Sequence, residues 1–189
     1  MKGNYFCGVK FLFIEKGNIL IRNAILSDAK ILYKWWNDGK IMLHAGFPNG
    51  LGITVKEIEE DLKNDTDEKG RRLIIEYEGQ PIGEMSYRNK GSKTVEIGIK
   101  ICDFTKQERG LGTIILQMFI RSLFEDYKFE KVILDTNLNN RRAQHVYKKI
   151  GFRKVKINYD SWKDQLGELQ SSVDYELLKA EYLNFTKDK

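Results

Sequence analysis

Apolar and polar residues alternate in two registers along this chain, and the switches between them mark its elements. The run from about Tyr5 to Asn23 reads as a β-hairpin, two apolar-rich strands around the turn "EKGN". Ile31, Leu32, Trp35 and Trp36 then recur at helical spacing in "DAKILYKWWND", with Ser27 as N-cap and Gly39 as stop. Residues 40–53 are glycine-rich and irregular. Thr54 opens a second short helix, "VKEIEEDLKN", with a capping box. Three strands in a meander follow, "RRLIIEYE", "IGEMSYR" and "TVEIGIKI". The third puts Val95, Ile97, Ile99 and Ile101 on one face and Glu96, Gly98 and Lys100 on the other.

Beyond the meander the period returns to that of a helix. Leu111, Ile114, Ile115, Met118, Phe119 and Leu123 form one stripe, predicting an amphipathic helix over about 110–126. "KVILDT" is a short apolar run, a central buried strand. A helix beginning at Asn140 carries Ala143, Val146, Tyr147 and Ile150 on one stripe and ends at Gly151. "FRKVKINY" is a strand, 160–171 a loop, and "SVDYELLKAEYL" the last strand. A meander running into a strand–helix–strand crossover is a mixed α/β (α+β) single domain over residues 1–189.

Composition changes this picture little. The 189 residues carry 32 Lys and Arg against 27 Asp and Glu, a formal net charge of +5. That balance suits an anionic ligand. The basic residues are spread along the chain, with only "RR" pairs at 71–72 and 141–142, so no nucleic-acid patch is expected. Cys7 and Cys102 are far apart, and His44 and His145 are the only histidines. The chain therefore has no zinc spacing and no disulfide framework, which points to a reducing cytoplasm. Lys10, Glu15 and Lys16 interrupt the apolar N-terminal run, so no signal peptide or membrane span is expected.

The chemistry begins at "QERGLGT", Gln107 to Thr113, between the third meander strand and the long helix. The first amides of a helix have no partner within it, and the macrodipole favours an anion there. Gly110 and Gly112 leave the backbone open to close approach by a phosphate. An ordinary strand-to-helix turn would use the same glycines. A dinucleotide fingerprint would need a small residue where Ile115 stands, and a P-loop would need a lysine after Gly112.

A second motif decides among phosphate classes. Asn140, Ala143, Tyr147, Lys149, Gly151 and Phe152 follow an N-x-x-A-x-x-x-Y-x-K-x-G-F pattern, after a Q-x-x-G-x-G pattern at Gln107, Gly110 and Gly112. The two in this order, with a strand between them, resemble the GNAT superfamily of acetyl-CoA-dependent N-acetyltransferases over about 94–153. "EIGIKI" and "LYKWWND" are similar to the branch that includes ribosomal-protein N-acetyltransferases. The segment from Glu96 to Gly110 departs from that branch. It is one residue longer, and "CDFTKQ" replaces the usual proline, which bears on the register at Ile101 and Cys102.

The resemblance implies a mixed, mostly antiparallel sheet splayed at its centre, with helices on both faces. Acetyl-CoA would be the co-substrate. Its pyrophosphate would lie on Arg109, Gly110, Leu111, Gly112 and Thr113, near Gln107. Its pantetheine arm would lie near Ile101, Cys102 and Asn140. Tyr147 would protonate the leaving thiolate, and Glu96 would take the amine's proton, with Glu84 and Asp135 as alternatives. An ammonium cannot attack a thioester, so some base is required. Trp35, Trp36, His44 and Phe47 would line the acceptor pocket. Each residue also has a plainer reading: Asn140 as an N-cap, Tyr147 and the tryptophans as core, Glu96 as a surface strand residue and Cys102 as inert. The acceptor would be a protein N-terminal amine or a small molecule. An aminoglycoside is the main rival, and a non-catalytic acyl-CoA-binding module is a reading of another class. Monomer and dimer both remain open.

Overall fold

The structure, a computed structural model, describes residues 5–182 apart from 7, 8 and 11, so Cys7 lies outside the described residues. In chain order its elements are β1 (Tyr5–Phe6), β2 (Val9–Lys10), β3 (Phe13–Lys16), β4 (Ile19–Asn23), α1 (Ala29–Trp36), α2 (Gly39–Met42), α3 (Val55–Lys63), β5 (Gly70–Tyr77), β6 (Gln80–Gly91) and β7 (Thr94–Ile101). They continue with α4 (Leu111–Glu125), β8 (Lys131–Asn137), α5 (Arg141–Ile150), β9 (Arg153–Lys163) and β10 (Leu169–Leu178). Eight strands form one sheet in the order β3-β4-β5-β6-β7-β8-β10-β9. Every pairing in it is antiparallel except β7 with β8. No helix among the described residues is long and apolar enough to cross a membrane.

Alternation along the strands separates two cores. On β5, Leu73 and Ile75 pack on the face covered by α4 and α5, while Ile74 packs on the face covered by α1 and α3. Helices therefore lie on both faces, and a mixed α/β single domain results. The long helix α4 buries Leu111, Ile115, Met118, Phe119 and Leu123, each contributing roughly 1.5–3 kcal/mol by leaving water. Leu116, Ile120 and Phe124 are buried too, Phe124 against the ring of Tyr182 at a centroid distance of 5.5 Å. Ile114, expected on the buried stripe, is exposed.

Other expectations need correcting. The hairpin around "EKGN" is β3–β4, with Phe13 opposite Arg22, whereas β1 and β2 pair only with each other. Ser27 does not cap α1. It sits in a 3-10 turn over Leu26–Asp28, where Asp28 accepts from the Ile25 amide at 2.8 Å. Gly39 does not end that helix but begins α2, because a Cβ there would stand 1.8 Å from the Pro48 carbonyl oxygen. Residues 160–171 are not all loop. β9 runs to Lys163 and β10 starts at Leu169, closing a hairpin. The chain beyond β10 turns helical at 179–182 rather than extending the strand.

The centre of the sheet positions the site. β7 and β8 pair only at Thr94–Lys131, Val95–Val132 and Glu96–Ile133. Beyond that point the strands diverge, and residues 97–101 and 134–137 face each other across an opening. The end of β7 is irregular just before the glycine loop. The Ile82 carbonyl accepts from both Cys102 N at 2.8 Å and Asp103 N at 2.9 Å. The Asp103 carboxylate then accepts from Thr105 N at 2.9 Å, turning the chain through a 3-10 helix over Phe104–Lys106.

Candidate functional site

The opening between β7 and β8 is the centre of a groove of about 1280 Å³. One wall is the glycine loop and the head of α4, another is α5, and a third is built from α2 and the β9–β10 hairpin. The fit to a phosphate group can be tested at the loop. Among the described residues, the amides of residues 108–112 donate to no acceptor; the first bond of α4 is from Thr113 N to the Gly110 carbonyl at 3.1 Å. Glu108 and Gly110 have φ of 61° and 75°, which turns successive N–H groups to one side. A Cβ added to Gly110 or Gly112 would meet nothing within 4 Å, and both glycines line the groove. An open run of amides at a helix N-terminus fits a phosphate.

Ile101, Gln107, Gly110, Gly112, Thr113 and Asn140 all face the groove. Gln107 spans two of its sides. Its Nε2 donates to the Ile101 carbonyl at 2.7 Å, and its Oε1 accepts from Arg142 at 2.5 Å. Asn140 is the N-cap of α5, its Oδ1 accepting from Ala143 N at 3.2 Å. The Leu111 side chain points into the core, and neither it nor Arg109 is on the groove wall. Cys102 packs with α1 and α3 away from the groove, where burial raises its thiol pKa well above the ordinary value.

Tyr147 lies on the groove and is otherwise buried against Phe152 and Tyr175, with ring centroids 5.8 and 5.5 Å away. Burial first, then Asp135, then Tyr175, raises its pKa above the usual phenol range. The phenol therefore stays protonated at any ordinary pH. Asp135 also faces the groove. Its pKa is raised first by desolvation, then by the nearby carboxylates of Glu96 and Asp174, the latter its direct cross-strand partner.

The remaining expected residues divide. His44 is on the groove wall, and burial, then Arg142, lowers its pKa, so the imidazole is neutral near pH 7. Glu96 is not on that wall. It remains within the paired part of β7, opposite Arg88, and forms an ion pair with Lys90 at 3.3 Å. Glu84 is buried and paired at 2.9 Å with Lys100, which does reach the groove. Trp35 and Trp36 are core residues beside Leu32 and Ile58, and Phe47 packs against the same cluster, so none of them lines the groove. Reading the sequence missed Arg142, Asn137 and Trp162, which do. The sole hint for Trp162 was a lone tryptophan in an otherwise polar segment.

A family model described as an acetyltransferase (GNAT) domain matches residues 18–153. An N-alpha-acetyltransferase of Sulfurisphaera tokodaii is 40% identical over 48 residues, which is 25% of this chain and 29% of that relative's length. Among solved structures, spermidine N-acetyltransferase from Vibrio cholerae in complex with CoA and spermine superposes with a TM-score of 0.79 at 20% identity, over 88% of this chain and 99% of that one. A GNAT-family acetyltransferase from Bacillus anthracis gives a TM-score of 0.75 at 20% identity, over 90% and 100%. At such identity the structures speak for the fold alone. The family model, by contrast, spans well over half of the sequence, and the chain belongs to the GNAT acetyltransferase family.

Proposed function

We propose that the protein transfers an acetyl group from acetyl-CoA, the co-substrate of its family, to a primary amine, by direct attack with both substrates in the groove. The observation that carries this reading is the open run of amides at residues 108–112, set beside a sheet that parts at the same groove. When bound, acetyl-CoA supplies an activated acyl group. The protein's part is to hold it, to hold the amine against it, and to move two protons.

The loop amides and the dipole of α4 take the pyrophosphate, and the free edge of residues 97–101 and Asn140 take the pantetheine arm. Tyr147 keeps a proton on its phenol for the departing sulfur. A thiol has an ordinary pKa of about 8.5, so transfer from the phenol needs its close approach to developing thiolate charge. Asp135 is the carboxylate best set to receive the amine's proton, because it faces the groove and Glu96 does not. Glu96 acts from behind, keeping the pKa of Asp135 high. Neutral His44 is a further acceptor of that proton. Cys102 takes no part, since it faces the opposite core, and no acyl-enzyme is needed.

The carboxylates of Asp135, Glu96 and Asp174 make the middle of the sheet locally acidic in a chain of net charge +5. On the groove wall itself Lys40, Lys100, Lys106, Arg142 and Lys149 outnumber Glu108 and Asp135, so the charge of the wall selects no one class of amine, and polyamines, aminoglycosides and protein N-termini are all to be tested. A thiol-release screen with acetyl-CoA against spermine, kanamycin and N-terminal peptides tests the proposal. Release with an amine and none without is the expected result. CoA binding with no release on any amine would leave a non-catalytic acyl-CoA module, and absence of binding at millimolar acetyl-CoA would end the reading.

A further inference from the structure

The tip of the β9–β10 hairpin ties two walls of the groove together. On one side Gln165 holds the loop after α2. Its amide donates to the Gly46 carbonyl at 2.8 Å, its Oε1 accepts from Asn49 N at 2.9 Å, and its Nε2 donates to the Gly50 carbonyl at 3.0 Å. Trp162 packs on Gly46, where a Cβ would stand 2.3 Å from the indole ring. Trp162, Lys40 of α2 and His44 just after it face the same groove.

On the other side runs a directional chain of amides. The Oδ1 of Asp164 accepts from Leu166 N at 2.9 Å and Glu168 N at 3.0 Å, and its Oδ2 accepts from Gln170 Nε2 at 2.9 Å. Gln170 Oε1 accepts from Asn137 Nδ2 at 2.9 Å, and Asn137 Oδ1 accepts from Asn139 N at 2.8 Å. A carboxylate can only accept and a backbone N–H can only donate, so the two ends fix both side-chain amides between them. Asn137 is buried at the end of β8 and faces the groove, three residues before the cap of α5.

We infer that the hairpin tip is a clasp that positions the wall built from α2 and its following loop, the wall left to the amine once the glycine loop and Asn140 take the donor, against the splayed end of β8, with Asp164, Gln165 and Gln170 as positioning residues. The kinetic part of this inference rests on the acetyl-transfer reading, but the clasp itself does not. Its polarity gives a sharp test. In Asp164→Asn the size is kept and Leu166 and Glu168 can still be satisfied, but the new amide meets Gln170 donor to donor. Gln170 can turn only by opposing Asn137 in the same way. Adding Gln170→Glu restores every donor–acceptor pair, since a carboxylate accepts from both neighbours.

Two measurements read the clasp: deuterium exchange of the amides in residues 39–50, and KM for spermine beside the Kd for acetyl-CoA. Asp164→Asn should speed exchange in that loop and raise KM for spermine up to roughly tenfold, as a conflicted part-buried hydrogen bond does. The Kd for acetyl-CoA should change by less than about twofold, because none of the altered residues belongs to the glycine loop that takes the pyrophosphate and Asn140 keeps its own bond to Ala143. The double variant should return both to wild type, which loss of folding alone would not do. Wild-type exchange in Asp164→Asn, or no recovery in the double variant, overturns the clasp. If wild-type protein acetylates no amine, exchange alone still decides the clasp, and the acetyl-transfer reading is what has failed.

Discussion

Substituting Gly112 by alanine separates a phosphate cradle from a mere turn. Gly112 is the second residue of α4, its φ is not among the positive values, and a Cβ there would meet no protein atom within 4 Å. Alanine relieves the entropic cost of glycine in a helix, worth up to about 1 kcal/mol. For a chain of this length that raises Tm by roughly 2–4 °C. The same methyl group projects into the groove beside the open amides. If they hold a pyrophosphate, at least one charge-assisted hydrogen bond of about 1.5–3 kcal/mol is lost. The Kd for CoA should then rise roughly ten- to a hundred-fold.

Stability and binding are thus expected to move in opposite directions, which a general packing defect cannot produce. Thermal melting and titration calorimetry with CoA measure the two. A Tm equal to or above wild type together with an unchanged Kd would refute the cradle. Gly110 is the weaker choice, because at a φ of 75° alanine costs about 1–2 kcal/mol through the backbone alone. A loss of binding there could be strain.

Further predictions concern the proton path. Tyr147→Phe should lower kcat about a hundred-fold or more with little change in the Kd for acetyl-CoA, measured where chemistry limits the rate; unchanged turnover would rule out the phenol as proton donor. Asp135 must be ionised to act and its pKa is raised, so kcat should fall as pH drops through a value above that of an ordinary aspartate. Asp135→Asn should lower kcat and remove that acidic limb. Because the pKa of Tyr147 is raised and its protonated form is the active one, any alkaline limb belonging to it lies beyond the usual tyrosine range.

Much of the fold was legible because it is set locally. The capping box of α3 forms as the residue spacing demands, with Glu57 accepting from Thr54 N at 2.8 Å and Thr54 accepting from Glu57 N at 3.3 Å. The meander follows from clean alternation. Elements governed by distant partners were not legible. β9 is an edge strand, exposed along most of its length, so no buried face imposes a period of two; its extent is decided by pairing with β10. Gly39 looked like a helix stop because glycine commonly is one. Its reason is the Pro48 carbonyl, met only after the chain has folded back.

The candidate site divides along the same line. The proposed donor half lies within seven consecutive residues and one helix cap, and among the described residues the amides of 108–112 donate to no acceptor, as the spacing of the glycines suggests. The base was harder. Strand alternation put Glu96 on the polar face, but only the register shows that pairing with β8 continues through Glu96 and stops there. One step of ladder decides whether a carboxylate stands in the groove or behind it, and Asp135, on the neighbouring strand, takes the open position. The acceptor wall is harder still, since Gln165 meets Gly50 across 115 residues and Asn49 across 116. Such contacts leave no period and no short motif. On the proposed reading, donor binding is a local property of this chain and acceptor selection a tertiary one, so two sequences sharing the glycine loop need not share an amine.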